Sequence, residues 1–153
     1  MKFGREWGKH TWIFFHCLAE KLNEQNFNFI TPIIFSWIKD LCAILPCPDC
    51  SNHATIFLKS YKYYYKINCK DDFKLFLLGM HNTVNARTGK PIYTKSILEQ
   101  YKDMKLNKVT ADWFNNFVVN IVDVKLLSEK KQRYLTKNKV LRELKENIKY
   151  FTV

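Results

Sequence analysis

The stretch DDFKLFLLGMHNTVNARTGKPIY, residues 71–93, contains a complete helix signal with its start and its end. Asp71 and Asp72 are predicted to cap the helix, an apolar run follows at helical spacing, and the glycine and proline of TGKP are typical of a helix end. His81 and Asn85 are four residues apart and therefore share one face of this helix. Segments with the same helical spacing of apolar residues occur along the whole chain. No pair of segments shows the alternation of apolar and polar residues that is typical of strands. We predict an all-α fold.

Further helices are predicted on both sides of this one. Thr31 and Pro32 match an N-cap followed by proline at the first helical position, and Thr110 is predicted to cap a later helix. The sequence therefore favours a helical bundle with a four-helix core and a short fifth helix. The other predicted helices cover 6–25, 33–45, 50–65, 96–104 and 111–127.

The C-terminal segment, residues 125–153, differs in composition, with nine Lys and Arg against three Glu. Leu141, Leu144, Ile148 and Phe151 fall on one face of a helix, so the segment is predicted to be an amphipathic, basic helical extension. Such a helix can pack on the bundle, hold a partner or lie on an anionic surface. Packing on the bundle is the interpretation we favour.

Composition and charge restrict the class of protein. Among 153 residues, 47% are hydrophobic and 16% are aromatic, which is typical of a packed domain and excludes wholesale disorder. A net charge of +11 indicates either acidic partners or a lysine-rich, solvated surface. No apolar run is long enough for a membrane span, and the first residues do not resemble a signal peptide. We therefore expect an intracellular protein without a membrane span.

Two cysteines, Cys47 and Cys50, are two residues apart in the stretch AILPCPDCSNHA, residues 43–54. A redox pair is one interpretation, because a helix start stabilises a thiolate and this spacing permits a disulfide. A zinc site is the alternative, although no second ligand pair at finger spacing follows. The residues that would supply zinc ligands are Cys42, Cys47, Cys50, His53 and Cys69.

A second group of residues is suited to a flat ligand. Trp12 and His16 are four apart on the first helix, just as His81 and Asn85 are on the fourth. Each pair has an ordinary explanation, either a core aromatic beside a satisfied histidine or the solvated end of a helix. Together they would provide an aromatic ring, imidazoles and amides for a ring-shaped cofactor.

Three blocks of sequence carry a family resemblance: WGKHTWIFFH (7–16), LPCPDC (45–50) and HNTVNARTGKPIY (81–93). In order and spacing they resemble the Erv/ALR family of FAD-linked sulfhydryl oxidases, over roughly residues 7–102. The resemblance implies an FAD-binding helical bundle without a Rossmann unit, in a domain covering residues 1–106, followed by a helical, basic extension over residues 107–153.

The resemblance also implies roles for individual residues. Cys47 would exchange disulfides with the substrate, and Cys50 would pass electrons to FAD through a thiolate contact. Molecular oxygen would reoxidise the flavin and yield hydrogen peroxide. Lys9 stands where the family usually has arginine, and Lys90 could likewise neutralise phosphates. The residues implied to bind FAD are Gly8, Lys9, Trp12, His16, His81, Asn82, Val84, Asn85, Lys90, Tyr93 and Tyr101.

Departures from the family pattern indicate how the protein is used. Leu78 and Lys95 occupy positions where many members have a disulfide, and no second cysteine pair serves as a shuttle. The expected substrate is therefore a dithiol on another protein, such as a thioredoxin-like or other CxxC-containing partner. The closest likeness is to the compact forms of large cytoplasmic DNA viruses, which implies the host cytoplasm or the virion. A homodimer is expected, with no metal and no nucleic-acid partner.

A rival function from a different class remains open at this point. A basic, zinc-stabilised interaction protein would use its charge to bind nucleic acid or an acidic virion component.

Overall fold

The computed structural model describes residues 3–117 and 127–153, and helices make up most of them. The all-α prediction is confirmed. One isolated β-bridge joins Leu22 to Phe151. The α-helices are α1 (Phe3–Lys21), α2 (Phe27–Cys42), α3 (Pro48–Ser60), α4 (Lys70–Thr88), α5 (Leu106–Asn116) and α6 (Leu127–Glu146). Short 3₁₀ helices cover Glu24–Asn26, Tyr61–Tyr63, Lys95–Asp103 and Ile148–Tyr150.

The core lies around α1, which packs against α4, α5 and the 3₁₀ segment Lys95–Asp103. On one side Phe14 stacks on Trp113 of α5 with ring centroids 4.3 Å apart, and both side chains are fully buried. An aromatic cluster that includes Phe35, Phe73 and Phe76 joins α2 to α4. Aromatic side chains bury a large area each, so they account for much of the packing between these helices.

The predicted start of α2 is wrong. The helix begins at Phe27, so Pro32 lies inside it and Thr31 is not its N-cap. Phe27 and Ile30 are buried, and their packing extends the helix by more than a turn before the proline. Pro32 is exposed, as is Asn28, whose carbonyl would normally bond to residue 32, so water can take the place of the missing donor.

The predicted cap of α5 is also wrong. The helix begins at Leu106, because Leu106 and Val109 are buried against the bundle, and Thr110 lies inside it. The predicted helix over 111–127 is therefore observed as far as Asn116. Its continuation through 118–126 lies outside the described residues.

The two ends of α4 largely follow the prediction. Gly89 ends the helix with a left-handed φ of 72°, as TGKP predicts. At the other end Cys69 is the N-cap residue, while Asp71 and Asp72 lie in the first turn. The Asp72 carboxylate accepts a hydrogen bond from the Asn68 N–H (2.9 Å), so it satisfies a donor just before the helix.

The C-terminal segment packs on the bundle. Val140, Leu144 and Phe151 are buried, and the Trp37 indole N–H of α2 donates to Glu143 of α6 (3.1 Å). The chain end is tied to the end of α1 by a bond from the Thr152 N–H to the Lys21 carbonyl (2.7 Å). Within residues 3–117 and 127–153, every helix is too short or too polar to cross a bilayer.

Candidate active site

The cysteine pair lies where a chain segment enters α3. Cys47 has extended backbone at the N-cap position, Pro48 is the first helical residue, and the Cys50 N–H points at the Cys47 sulfur (3.2 Å). The two cysteines are joined in a disulfide with Cα atoms 5.2 Å apart. The helix starts two residues earlier than predicted, because proline is well suited to the first helical position. The disulfide therefore sits at the positive end of a helix.

Two side chains from different helices hold the segment before Cys47. The Leu45 N–H donates to the Ser51 hydroxyl (2.9 Å). The Arg133 Nε–H of α6 donates to the Ile44 carbonyl (2.9 Å). The sequence pattern did not single out Ser51 or Arg133, because Arg133 belongs to a segment rich in lysine and arginine and looks like any other basic residue there.

The other cysteines do not join this site. Cys17, Cys42 and Cys69 are free thiols, and burial raises the pKa of Cys17 and of Cys42 to about 12. A buried thiol of this kind is inert at neutral pH. In the part of the chain that the structure describes, no three side chains of His, Cys, Asp or Glu are grouped as metal ligands. The zinc alternative therefore gains no support from the described residues.

Four of the residues expected to bind a flat cofactor form an aromatic stack. Trp12 of α1 lies parallel to His81 of α4, with ring centroids 4.1 Å apart. His16 stacks on Tyr101 at 4.8 Å, and its Nε2 lies 2.9 Å from His81 Nδ1. Tyr93 meets the edge of His81 at 5.4 Å. The structure therefore brings together residues that are up to 89 positions apart in the sequence, counted from Trp12 to Tyr101.

Both histidines of this stack are neutral at pH 7. Burial, and secondarily the charge of His81, lowers the pKa of His16 to about 3. Burial, followed by the positive charge of Lys90, lowers the pKa of His81 to about 4. His16 Nδ1 is buried and has no hydrogen-bond partner among the described residues. An unsatisfied polar atom beside flat rings fits a planar, heteroaromatic cofactor.

Asn82 and Asn85, two of the residues expected to bind FAD, hydrogen-bond to the backbone of the loop that follows α4. The Asn82 side chain exchanges two hydrogen bonds with the backbone of Tyr93, both 2.9 Å long, and the Asn85 amide donates to the Pro91 carbonyl (3.0 Å). Both amides therefore hold the loop that follows α4 against the helix. In this structure Asn82 positions Tyr93 at the edge of the aromatic stack, and Asn85 fixes Pro91 two residues earlier.

The remaining predicted residues lie on α1, on α4 or just after α4. Val84 lines a cavity of about 220 Å³ between α3 and α4, together with His53, Phe57, Met80 and Arg87. Gly8 lies one helical turn before Trp12, where its missing side chain leaves open space. Lys9 and Lys90 are exposed. The cavity is smaller than most whole-ligand pockets, so only part of a dinucleotide could occupy it.

The lowered pKa values predict a pH dependence of stability. Because the unfolded histidines take up protons below about pH 6.5 and the folded ones do not, the free energy of unfolding should fall as the pH falls from 6.5 towards 4. For His16 alone the loss between pH 7 and pH 5 is at most about 2 kcal/mol. Thermal unfolding followed by circular dichroism at each pH measures how the free energy of unfolding depends on pH. His16→Gln should flatten the dependence and His53→Gln, at an exposed position, should not; equal slopes in all three proteins would contradict this explanation.

Comparison with known proteins gives one family and several relatives. The family described as "Erv1 / Alr family" matches residues 9–113. An FAD-linked sulfhydryl oxidase of Invertebrate iridescent virus 3 is 26% identical over 63% of this chain and 66% of its own length. One of Invertebrate iridescent virus 6 is 28% identical over 60% of this chain and 86% of its own length. The mitochondrial FAD-linked sulfhydryl oxidase erv1 of Schizosaccharomyces pombe is 24% identical over 58% of this chain, and the match covers 48% of that relative's own length. No solved structure matches the chain significantly.

Proposed function

Because the chain belongs to the Erv1/Alr family, we propose that it is an FAD-linked thiol oxidase that forms disulfide bonds in protein substrates. The observation that carries the proposal is the Cys47–Cys50 disulfide at the start of α3. The two viral relatives, both named FAD-linked sulfhydryl oxidases, support the same activity. The family resemblance noted in the sequence is confirmed.

The disulfide acts first on the substrate. A substrate thiolate attacks the Cys47 sulfur, the bond to Cys50 breaks, and Cys50 leaves as a thiolate. The second substrate thiol then attacks the mixed disulfide, which releases an oxidised substrate and leaves both cysteines reduced by two electrons. Cys50 packs against the hydrophobic core, whereas Cys47 lies before the first helical residue, so Cys47 is the better candidate for the exposed, attacked sulfur.

The positive end of α3 favours the thiolate that this exchange generates. Unpaired backbone N–H groups at a helix start stabilise negative charge, and the Cys50 N–H already points at the Cys47 sulfur. This N–H therefore stabilises the Cys47 thiolate that forms in the second step, when the second substrate thiol displaces Cys47 from the mixed disulfide.

Bound FAD would supply the two-electron acceptor for the reduced cysteines, with molecular oxygen as the final oxidant and hydrogen peroxide as the product. Trp12, His16, His81 and Tyr101 would hold its flat ring, with Tyr93 at the edge and Val84 on the α3 side. The neutral His16 could donate to or accept from a ring heteroatom through Nδ1, which no described residue satisfies. Lys9 and Lys90 would face the phosphates, and Gly8 leaves room on α1 for a close approach.

The substrate class and setting follow from what the chain contains. Within the 153 residues Cys47–Cys50 is the one CxxC pair, which supports a dithiol on another protein as the substrate, such as a thioredoxin-like or CxxC-containing partner. The relatives from iridescent viruses favour a viral enzyme that acts in the host cytoplasm or the virion. We also propose that it works as a homodimer.

Purified protein tests this function in two measurements. Oxidised flavin should give absorbance bands near roughly 370 and 450 nm, and a model dithiol should be oxidised with formation of hydrogen peroxide. Protein that binds flavin without producing peroxide would be a scaffold and would contradict the enzymatic function. Colourless protein with stoichiometric zinc and salt-sensitive binding to nucleic acid would support the zinc-stabilised alternative instead.

A further inference from the structure

Helix α6 lies antiparallel along α2, outside the region that matches the family. Three contacts follow one another in opposite directions along the two segments, so α6 runs antiparallel to the last part of α2 and the residues after it. The last of these contacts reaches the segment that precedes the redox disulfide. The pairs are Trp37 with Glu143 (3.1 Å), Asp40 with Lys139 (3.2 Å) and Ile44 with Arg133 (2.9 Å).

Arg133 is an unusual residue for the buried face of a helix. The relative exposure of Arg133 is 4%, yet its guanidinium has few hydrogen-bond or ion-pair partners. Nε donates to the Ile44 carbonyl, Nη2 lies 3.6 Å from the half-exposed Glu129, and the buried Nη1 has no partner among the described residues. Arginine stays charged in proteins, and burying a charge with so few partners is costly. Stability alone therefore gives no reason for an arginine here.

The contact made by Arg133 is close to the cysteine pair along the chain. Ile44 precedes Cys47 by three residues, which can span at most roughly 11 Å. On the other side of the contact, the Leu45 N–H is held by Ser51 of α3. The segment that leads into Cys47 is therefore fixed from α3 and from α6.

We propose that Arg133 is a positioning residue for the Cys47–Cys50 couple, which fixes the segment before Cys47 and stabilises the thiolate formed on reduction. This inference rests on the proposed function. When a substrate dithiol supplies two electrons and the S–S bond breaks, one sulfur leaves as a thiolate, a negative charge that the disulfide does not carry. At separations of roughly 10 to 15 Å in a partly buried site, a fixed cation shifts such an equilibrium about three- to tenfold. Arg133 therefore makes the pair more oxidising.

The redox equilibrium of the pair tests the proposal directly. Purified protein is equilibrated with glutathione buffers under argon, the thiols are trapped by alkylation, and the oxidised fraction of Cys47–Cys50 is read by mass spectrometry. Arg133→Gln should shift the ratio of disulfide to dithiol about three- to tenfold towards the disulfide. The pH profile for alkylation of the reduced pair should move to higher pH. Arg133→Lys, which retains the charge, should shift the ratio less than about twofold.

Lys137 provides a matched control, because it is a second buried cation on α6 that donates instead to the Phe114 carbonyl (3.0 Å). Lys137→Gln should leave the ratio and the pH profile unchanged. Equal shifts in Arg133→Gln and Lys137→Gln would show a general effect of α6 and overturn the proposal, as would folded Arg133→Gln protein with wild-type values.

Glu129→Gln covers the case in which Arg133→Gln does not fold. Removing the carboxylate near Nη2 leaves the guanidinium less neutralised, so the ratio should shift towards the dithiol, and an unchanged ratio would overturn the role of the charge. The alkylation measurement of the redox ratio needs neither oxygen nor catalytic turnover. An arginine effect without oxidase activity would therefore contradict the proposed function alone, and activity without an arginine effect would contradict this inference alone.

Discussion

Cys50→Ser and Cys47→Ser are each expected to abolish dithiol-dependent oxygen consumption, with a loss of at least ~10³-fold. A serine hydroxyl cannot form the disulfide that receives the substrate's electrons, and it is not ionised at neutral pH. Oxygen uptake and peroxide formation with a model dithiol measure the loss. The bound flavin should remain, because neither sulfur belongs to the aromatic stack of Trp12, His16, His81 and Tyr101.

The three free cysteines provide the control for this result. A protein with Cys17, Cys42 and Cys69 all changed to alanine should retain its turnover, because Cys17 and Cys42 are buried thiols with a raised pKa and none of the three is bonded to the pair. Thermal unfolding shows whether the core substitutions cost stability. An inactive but folded triple variant beside active single variants would show that the redox cysteines are assigned wrongly.

His81→Ala is expected to weaken FAD retention by roughly tenfold, equivalent to about 1.4 kcal/mol. The change removes a ring that stacks on Trp12 at 4.1 Å and the hydrogen-bond partner of His16. Its cost to folding should be smaller, of order 1 kcal/mol, because the lost contact is one half-buried aromatic pair. The ratio of flavin absorbance to protein, measured after dialysis, gives the retention, and thermal unfolding gives the stability.

His10→Ala is the matched control for His81→Ala. His10 is also a histidine on a helix, but it pairs with Glu6 one turn away (3.6 Å), and among the described residues it has no hydrogen bond or ring stacking with the aromatic stack. Its flavin content should equal that of the wild type. Equal flavin content in all three proteins would place the cofactor elsewhere, whereas parallel losses of flavin and stability would make His81 a structural residue.

Much of the fold was predictable because helical periodicity is a local property. The apolar spacing in α1 and α4 and the glycine after α4 are visible in the sequence, and the structure has helices there. The starts of α2 and α5 were not predictable from Thr31 and Thr110, because burial of Phe27 and Leu106 against distant helices outweighs a local cap signal. Tertiary packing decides such boundaries.

The candidate site divides in the same way. In the sequence, the spacing of Cys47 and Cys50 permitted a redox pair, and the pairs Trp12/His16 and His81/Asn85 suggested a flat ligand. The family resemblance was needed to connect the two groups in one predicted chemistry. The structure shows what sequence could not: that Asn82 and Asn85 bind the backbone of the loop after α4. A polar side chain can bond to any group that folding brings near, and its sequence neighbours do not reveal which one.

By itself, then, the sequence determined that the chain is all-α, that a cysteine pair lies at the start of a helix, and to which family the chain belongs. Only the tertiary structure decided that His16 and His81 meet, and that Arg133 of the basic segment is buried against the carbonyl of Ile44. The physical reason is range: periodicity and capping act within a few residues, whereas hydrogen bonds and burial between distant segments exist only after the helices have packed.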